Sequence, residues 1–212
     1  ETFIKLRKSA VEALMSLSHL HDNVDFHDVV LREQISQILF IVLPQVATVL
    51  IKVCQEDTLR GPQLIQVSLK TLGRFLCLIL EDYERKSSNE QATNQDFLRL
   101  LNGKSNEVQE VPKVKLEVTK IEKSNEWMAS TTQSLTSLIP NLKSLRSSQY
   151  RDIRYEFAVL SFNLLNKCLI NVHPFSRFLL ENLIASCDDS DEKVRNYSKK
   201  SLAKLRENIS NL

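Results

Sequence analysis

The chain has 212 residues, 42% of them hydrophobic and 25% charged, so it has the composition of a globular protein with material for a sizeable core. Its formal net charge of +2 neither indicates nor excludes a nucleic-acid partner. The longest apolar run, 38–53, is interrupted by Pro44, Gln45 and Lys52 and is too short to span a membrane. Because the sequence starts at Glu1, we expect a piece of a longer protein.

The N-terminal part is predicted to be helical, because apolar residues recur at helical spacing and only 3 glycines interrupt the chain. Four predicted helices cover about 3–19, 28–43, 44–56 and 62–83. Pro44 and Pro62 suit first helical turns, where a backbone N–H is not needed. Gly73 lies inside the fourth helix, where it either permits close helix packing or is a weak point.

A polar stretch follows, and helices are predicted again after it. Residues 84–116 lack sustained periodicity, so we expect a flexible insertion with Phe97–Leu101 as its apolar island. An apolar stripe from Trp127 to Pro140 predicts the next helix, and three more are predicted over 148–211. The expected organisation is one continuous solenoid with N-terminal helices over 1–83, the insertion over 84–116 and C-terminal helices over 117–212.

The boundaries of the last two helices are predicted from short local signals. The middle helix of the three ends near Ala185, and its predicted apolar side comprises Phe175, Phe178, Leu179, Leu183 and Ile184. Asp189 is predicted to cap the following helix, with Glu192 three residues later completing a capping box.

A recurring apolar–arginine dipeptide indicates a repeat. The three copies are Leu6–Arg7, Ile153–Arg154 and Val194–Arg195. Small or apolar residues follow each copy at offsets of four, seven and eleven, which mark one face of a helix. The second and third copies lie 41 residues apart (194 − 153), which is the period of HEAT-type helix pairs. The sequence therefore predicts an all-α, HEAT-like solenoid of antiparallel helix pairs, with an irregular helical bundle as the alternative.

The residues singled out by the repeat are predicted to be structural. Arg7, Arg154 and Arg195 are expected to bond a neighbouring turn, or an acid such as Asp152 or Asp191, in preference to a ligand. Three further residues are predicted core anchors: Trp127, Leu164 and Leu202. For the tryptophan, an exposed contact with a partner is the alternative.

One segment has the residue types of a metal site. Three of the four histidines, His19, His21 and His27, lie there beside Asp22, Asp25 and Asp28. Imidazole and carboxylate together suit zinc or iron, but polar loops between helices collect such residues, and no outside ligand fixes a geometry. We therefore expect no metal site.

Other catalytic signals are absent from the sequence. The glycines Gly61, Gly73 and Gly103 are isolated and form no phosphate-binding loop. We expect neither an enzyme nor a bound cofactor. Four cysteines, Cys54, Cys77, Cys168 and Cys187, lie in or beside apolar helical runs without a C-x-x-C motif. We expect them to be reduced, mostly buried thiols of an intracellular protein.

The last predicted helix is basic. It carries Lys193, Arg195, Lys199, Lys200, Lys204 and Arg206, with Tyr197 as its aromatic residue. Acidic residues precede and interleave these cations, which is typical of a solvated outer face. A nucleic-acid-binding solenoid or a transport adaptor is the alternative, and it would depend on Lys199, Lys200, Lys204 and Arg206.

Two stretches resemble a known family. Residues 125–160 contain Glu126-Trp127-Met128, then Thr131-Thr132, then Ile153-Arg154-Tyr155-Glu156. Together with the helix junction Val42–Ala47 and the polar insertion before the tryptophan helix, they resemble the large HEAT-repeat subunit of the Triple T (TTT) co-chaperone complex, the Tel-two-interacting protein one family.

The resemblance implies a function that the residues alone do not. It implies a non-catalytic scaffold with other Triple T subunits, phosphatidylinositol-3-kinase-related (PIKK) kinases and chaperone adaptors as partners. It implies a role in the folding and assembly of those kinases, in the cytoplasm, with the nucleus as a further location. It carries over no functional residues, because the family has no catalytic motif to match.

Overall fold

A computed structural model describes residues 2–17, 29–56, 61–82 and 124–210. All regular structure in these ranges is helical. The eight α-helices of the described ranges are α1 (Thr2–Leu17), α2 (Val29–Leu39), α3 (Leu43–Glu56), α4 (Pro62–Leu80), α5 (Asn125–Leu138), α6 (Arg151–Lys167), α7 (His173–Ala185) and α8 (Glu192–Ser210). A 3₁₀ helix, Ile139–Ser147, continues α5.

The helices begin where local chemistry favours it. Pro62 occupies the first turn of α4, where the missing N–H needs no partner. The Ser124 hydroxyl accepts a hydrogen bond from the Trp127 backbone N–H (3.1 Å) and caps α5. Pro140 lies in the first turn of the 3₁₀ helix. Helical structure therefore continues past this proline, where the sequence predicted the helix to end.

Seven of the eight described α-helices pack in two layers, and α2 packs against α4. One layer contains α1, α4, α6 and α8, and the other contains α3, then α5 with its 3₁₀ extension, then α7. Contacts between successive helices join the two layers: α3 packs against α4, and α7 packs against α8. The buried side chains of both layers form one core cluster.

Neighbouring helices of the first layer run parallel. Gln66 of α4 contacts Glu156 of α6 (3.4 Å), and the Asp82 N–H, just after α4, bonds the Lys167 carbonyl at the end of α6 (2.9 Å). The helices α6 and α8 are also parallel. Tyr155 contacts Tyr197 near their starts, and Asn208 donates a 2.7 Å hydrogen bond to Asn166 near their ends, 42 residues apart. Parallel helices at this spacing are typical of stacked helix pairs.

A ring contact and a pair of hydrogen bonds also join the helices before Asp82 to those after Ser124. The ring of Phe40 meets the ring of Trp127 edge to face, with centroids 5.0 Å apart. The Asp82 carboxylate accepts hydrogen bonds from the backbone N–H groups of Ile170 (2.8 Å) and Asn171 (3.2 Å). Residues 1–82 and 122–212 thus form one compact unit. The predicted insertion over 84–116 lies outside the described residues.

Two local predictions were wrong. Asp191 caps α8, because its carboxylate accepts from the N–H groups of Lys193 (3.0 Å) and Val194 (3.3 Å), whereas the Asp189 carboxylate is held by Arg154. On α7, Ile184 is 52% exposed instead of buried.

One helix of the described part has the length and composition of a membrane span. It is α4, with a mean hydropathy of 1.3, but 67% of that window is buried inside the protein. Burial of this kind is what a central helix of a two-layer fold requires, because α4 packs against α1, α3 and α6.

Candidate interaction surfaces

The arginine at the start of α6 connects two turns. The Arg154 guanidinium donates to both carboxylate oxygens of Asp189, at 2.7 and 2.9 Å. It also donates to the Ser148 carbonyl, six residues before it (2.7 Å). The Arg154 and Asp189 side chains are only 12% and 8% exposed, so the pair lies within the fold and is not presented to a ligand.

The other two repeat-position arginines differ from each other. Arg195 donates to the carbonyl of Asp189, again six residues before it (2.6 Å). Arg7 lies over the Phe3 ring, 5.8 Å from its centroid. Leu6 is 66% exposed, whereas Ile153 and Val194 at the same repeat position are 0% exposed.

The α1 copy therefore differs in burial from what the repeat alignment predicted. The physical reason is a rotated apolar face. Val11 is the buried residue of α1, at 6% exposure, and Ile4 lies next to Gly61 at the start of α4. Neither residue is at an offset that the alignment assigned to the core.

The three proposed core anchors occupy different depths. Leu164 is fully buried in the core. Trp127 and Leu202 are half-buried and pack against that core. Trp127 also contacts the ring of Phe40, so its indole joins α5 to the residue that follows α2.

An apolar groove of about 520 Å³ lies among the C-terminal ends of α6 and α8 and the helix α7. Its walls include Leu169, Ile170, Leu180 and Leu205. Ile170 is 77% exposed, and Leu180 is 41% exposed. Contiguous exposed apolar surface of this kind is typical of protein interaction sites. We call this surface the α6–α8 groove.

A second groove is charged. It lies between α4 and α6, with α2 at one end, and has a volume of about 170 Å³. We call it the α4–α6 groove. Its charged lining residues are Arg32, Lys70, Arg74 and Lys167, with the carboxylates Glu81 and Glu156. Arg32 and Glu81 form an ion pair within it.

Electrostatics in the α4–α6 groove follow from burial and from like charges. Burial lowers the pKa of Lys167, and the positive charges of Arg32 and Lys204 lower it further. Burial raises the pKa of the Glu156 carboxyl, against the hydrogen bond from Gln66 and the charge of Lys70. The groove therefore holds a partly desolvated ammonium group beside other cations.

The basic residues of α8 are divided among several places. Lys193 lies over the Tyr155 ring, 4.3 Å from its centroid, and Lys204 lies 6.0 Å from the centroid of Phe162. Burial raises the pKa of the Cys187 thiol, in the turn that precedes α8, and the positive charge of Lys199 partly opposes this rise. Lys200 and Arg206 are exposed. Arg195 donates to the turn carbonyls of Asp189 and Ser190, so its guanidinium is engaged within the fold.

The cysteines are free thiols in distinct surroundings. Burial raises the pKa of Cys54 to about 12, which makes it a poor nucleophile. A hydrogen bond between the thiols of Cys77 and Cys168 lowers the pKa of Cys77 and raises that of Cys168. Cys77 also lines the α4–α6 groove.

The candidate metal ligands of the sequence, among them His19, His21 and His27, lie in one segment. That segment lies outside the described residues. Within the described ranges, no group of three histidine, cysteine, aspartate or glutamate side chains could hold a metal ion. His173 is exposed at the start of α7.

The groove residues were not singled out from the sequence. Lys70 and Arg74 lie on α4, and Lys167 lies at the end of α6, more than ninety positions later. No local pattern connects residues on two parallel helices that are so distant in sequence. The one available signal was Gly73, whose place inside a helix indicated either close packing or a weak point, and which lines this groove.

Comparison with known proteins gives one further finding. A family model described as the TTI1 N-terminal TPR domain matches residues 1–190. The matched residues include α1 to α7 and most of the turn before α8. No curated protein matches the chain, and no solved structure matches it. A TPR unit, like a HEAT unit, is a pair of antiparallel helices, so the predicted all-α helical-repeat fold is confirmed.

Proposed function

Because the chain belongs to the family of the TTI1 N-terminal TPR domain, we propose that it is a non-catalytic protein-interaction scaffold of the Triple T co-chaperone complex. The predicted resemblance to the Tel-two-interacting protein one family is confirmed at the level of the family. The proposed partners are other Triple T subunits, PIKK-family kinases and chaperone adaptors. The proposed role is the stabilisation and assembly of those kinases, in the cytoplasm and also in the nucleus.

The observation that carries the proposal is the exposed apolar surface of the α6–α8 groove. Ile170 and Leu180 expose 77% and 41% of their surface there. Exposed apolar side chains cost free energy in water, and covering them with a partner recovers about 25 cal/mol for each Å². A groove between helices of this size and polarity suits the apolar side of a helix from another subunit.

The helical-repeat architecture also supports a scaffold. Stacked helix pairs make extended surfaces whose elements are rigid, and such surfaces are typical of proteins that hold other proteins. In the first layer, α4 packs against α6 and α6 packs against α8, so three helices stack side by side. Two grooves open on the described part of the unit, so more than one partner segment could be held at once.

The experiment is affinity capture of the tagged chain from cytosolic lysate in moderate salt, with mass spectrometry of the bound proteins. The variant Ile170→Asp places a charge in the α6–α8 groove and is expected to reduce recovery of Triple T subunits about tenfold or more. The matched control is Ile38→Asp, since Ile38 is 69% exposed on α2 and does not line that groove.

The outcomes test separately the scaffold function and the α6–α8 groove as its interface. Recovery of Triple T subunits or PIKK-family kinases with the parent chain supports the scaffold function. Recovery of neither, with unrelated transport factors or nucleic acid instead, overturns it. Equal recovery with Ile170→Asp and Ile38→Asp would keep the complex but remove the α6–α8 groove as its interface.

A further inference from the structure

The α4–α6 groove carries an excess of positive charge. Among the described residues, four cationic side chains and two carboxylates line it, with a formal charge of +2 (4 − 2). The ion pair between Arg32 and Glu81 is internal to the groove. Lys70 is exposed on α4 and lies near Glu156, whose carboxylate accepts a hydrogen bond from Gln66.

The floor of the same groove is apolar. Leu69 and Leu78 of α4 and Val159 and Leu160 of α6 line it. Gly73 adds no side chain, and the nearest atom to a Cβ placed there would be Leu160 Cδ1 at 3.6 Å. A volume of about 170 Å³ is below the roughly 300–1,000 Å³ of small-molecule sites, but it suits the side chains of a docked chain segment.

We propose that the α4–α6 groove binds an acidic, amphipathic segment of a partner protein, with a carboxylate toward Lys70 and an apolar side chain over Gly73. The inference rests on the proposed scaffold function for the existence of a protein partner, and it names the chemistry of the segment. Complementary charge gives such a segment orientation and a fast association rate, while the apolar floor supplies burial.

Nucleic acid fits the groove less well. A phosphate backbone would meet Glu81 and Glu156 as well as the cations, and it would leave the apolar floor uncovered. A peptide can place its carboxylates selectively and turn apolar side chains inward.

The binding test uses a fluorescein-labelled peptide of about twelve residues, composed of glutamate and leucine at helical spacing. Three comparison probes are a lysine–leucine peptide of the same pattern, a glutamate-only peptide and oligothymidylate of similar length. Fluorescence polarisation with the purified chain is expected to show saturable binding of the glutamate–leucine peptide. Binding of the lysine–leucine and glutamate-only peptides is expected to be at least about tenfold weaker.

The variant Lys70→Glu tests whether the peptide binds in the α4–α6 groove. Lys70 is exposed, so reversal of its charge does not disturb the core. We expect it to weaken peptide binding by about tenfold. The matched control is Lys199→Glu, which changes the net charge equally on an exposed lysine that does not line the groove, and its effect is expected to stay below about twofold.

Alkylation of Cys77 provides a second readout of the site. Cys77 lines the groove and is half-buried, and half-buried Cys187 on the turn before α8 serves as the internal reference. Saturating peptide is expected to slow the reaction of Cys77 with iodoacetamide by about threefold or more, with no change at Cys187.

Three outcomes would overturn the inference: equal affinity for the lysine–leucine peptide, unchanged affinity in Lys70→Glu, or unprotected Cys77. Salt-sensitive binding of oligothymidylate without peptide binding would assign the groove to nucleic acid instead. Because the purified chain and a synthetic peptide suffice, a failure here removes the groove assignment and leaves the Triple T proposal to the capture experiment.

Discussion

Arg154 and Asp189 form a bidentate ion pair across 35 residues of sequence, with hydrogen bonds of 2.7 and 2.9 Å. The pair joins the start of α6 to the turn before α8, and Arg154 also bonds the Ser148 carbonyl in its own preceding turn. Arg195 repeats the carbonyl contact one helix pair later. The arginines at the starts of α6 and α8 thus order the turns on which the repeat depends.

Removal of one partner of this pair should be strongly destabilising. Both side chains are nearly buried, so Asp189→Ala would leave a guanidinium group without its anion, which costs about 3–5 kcal/mol. Urea unfolding followed by circular dichroism measures the loss. The control is Asp152→Ala, because Asp152 pairs with Arg151 at 55% exposure for both side chains, and such a pair contributes less than about 1 kcal/mol. Equal losses in the two variants would contradict the assigned role of Arg154.

The same pair predicts a loss of stability in acid. The hydrogen bond from Arg154 lowers the pKa of the Asp189 carboxyl, and burial only partly opposes it. A lowered pKa stabilises the folded state above the unfolded value of about 3.9, and this stabilisation is lost as pH falls through the folded pKa.

The test compares the free energy of unfolding of the parent chain and Asp189→Asn between about pH 6 and pH 3. The difference between the two proteins should shrink as pH falls below about 4. Burial raises the pKa values of Asp82 and Glu156 and gives the opposite slope, but both groups are present in both proteins and cancel in the difference. A difference that does not change with pH would rule out the linkage.

The helices were predictable from sequence because their apolar spacing is long and regular. The two wrong predictions, the cap of α8 and the buried side of α7, depend on contacts with residues that are distant in the sequence. Asp189 has the spacing of a capping residue, but Arg154, 35 positions earlier, engages its carboxylate, and Asp191 caps α8 in its place. Apolar periodicity placed Ile184 inside, yet the buried position is Asn182, whose amide donates to Ser161 of α6 (2.9 Å). A pattern of apolar residues does not reveal a buried polar pair.

The substitution Gly73→Ala should stabilise the protein. Gly73 lies in the interior of α4, and a Cβ there would meet Leu160 at an ordinary contact distance of 3.6 Å. Alanine in place of glycine inside a helix gains about 0.5–1 kcal/mol. The control is Gly61→Ala, where the new Cβ would lie 3.3 Å from Leu64 Cβ and where glycine precedes the first turn of α4. Thermal unfolding should show a higher Tm for Gly73→Ala and no increase for Gly61→Ala.

Leu164 and Leu180 should respond differently to the same substitution. Leu164 is fully buried between helix pairs, whereas Leu180 is 41% exposed in the α6–α8 groove. Leu164→Ala removes buried methyl groups and leaves a cavity, which costs about 2–5 kcal/mol. Leu180→Ala should cost less than about 1 kcal/mol, because much of that side chain already contacts water. Equal melting temperatures for Leu164→Ala and the parent would contradict the repeat register, because that register requires the α6 core position to fill the space between α4, α7 and α8.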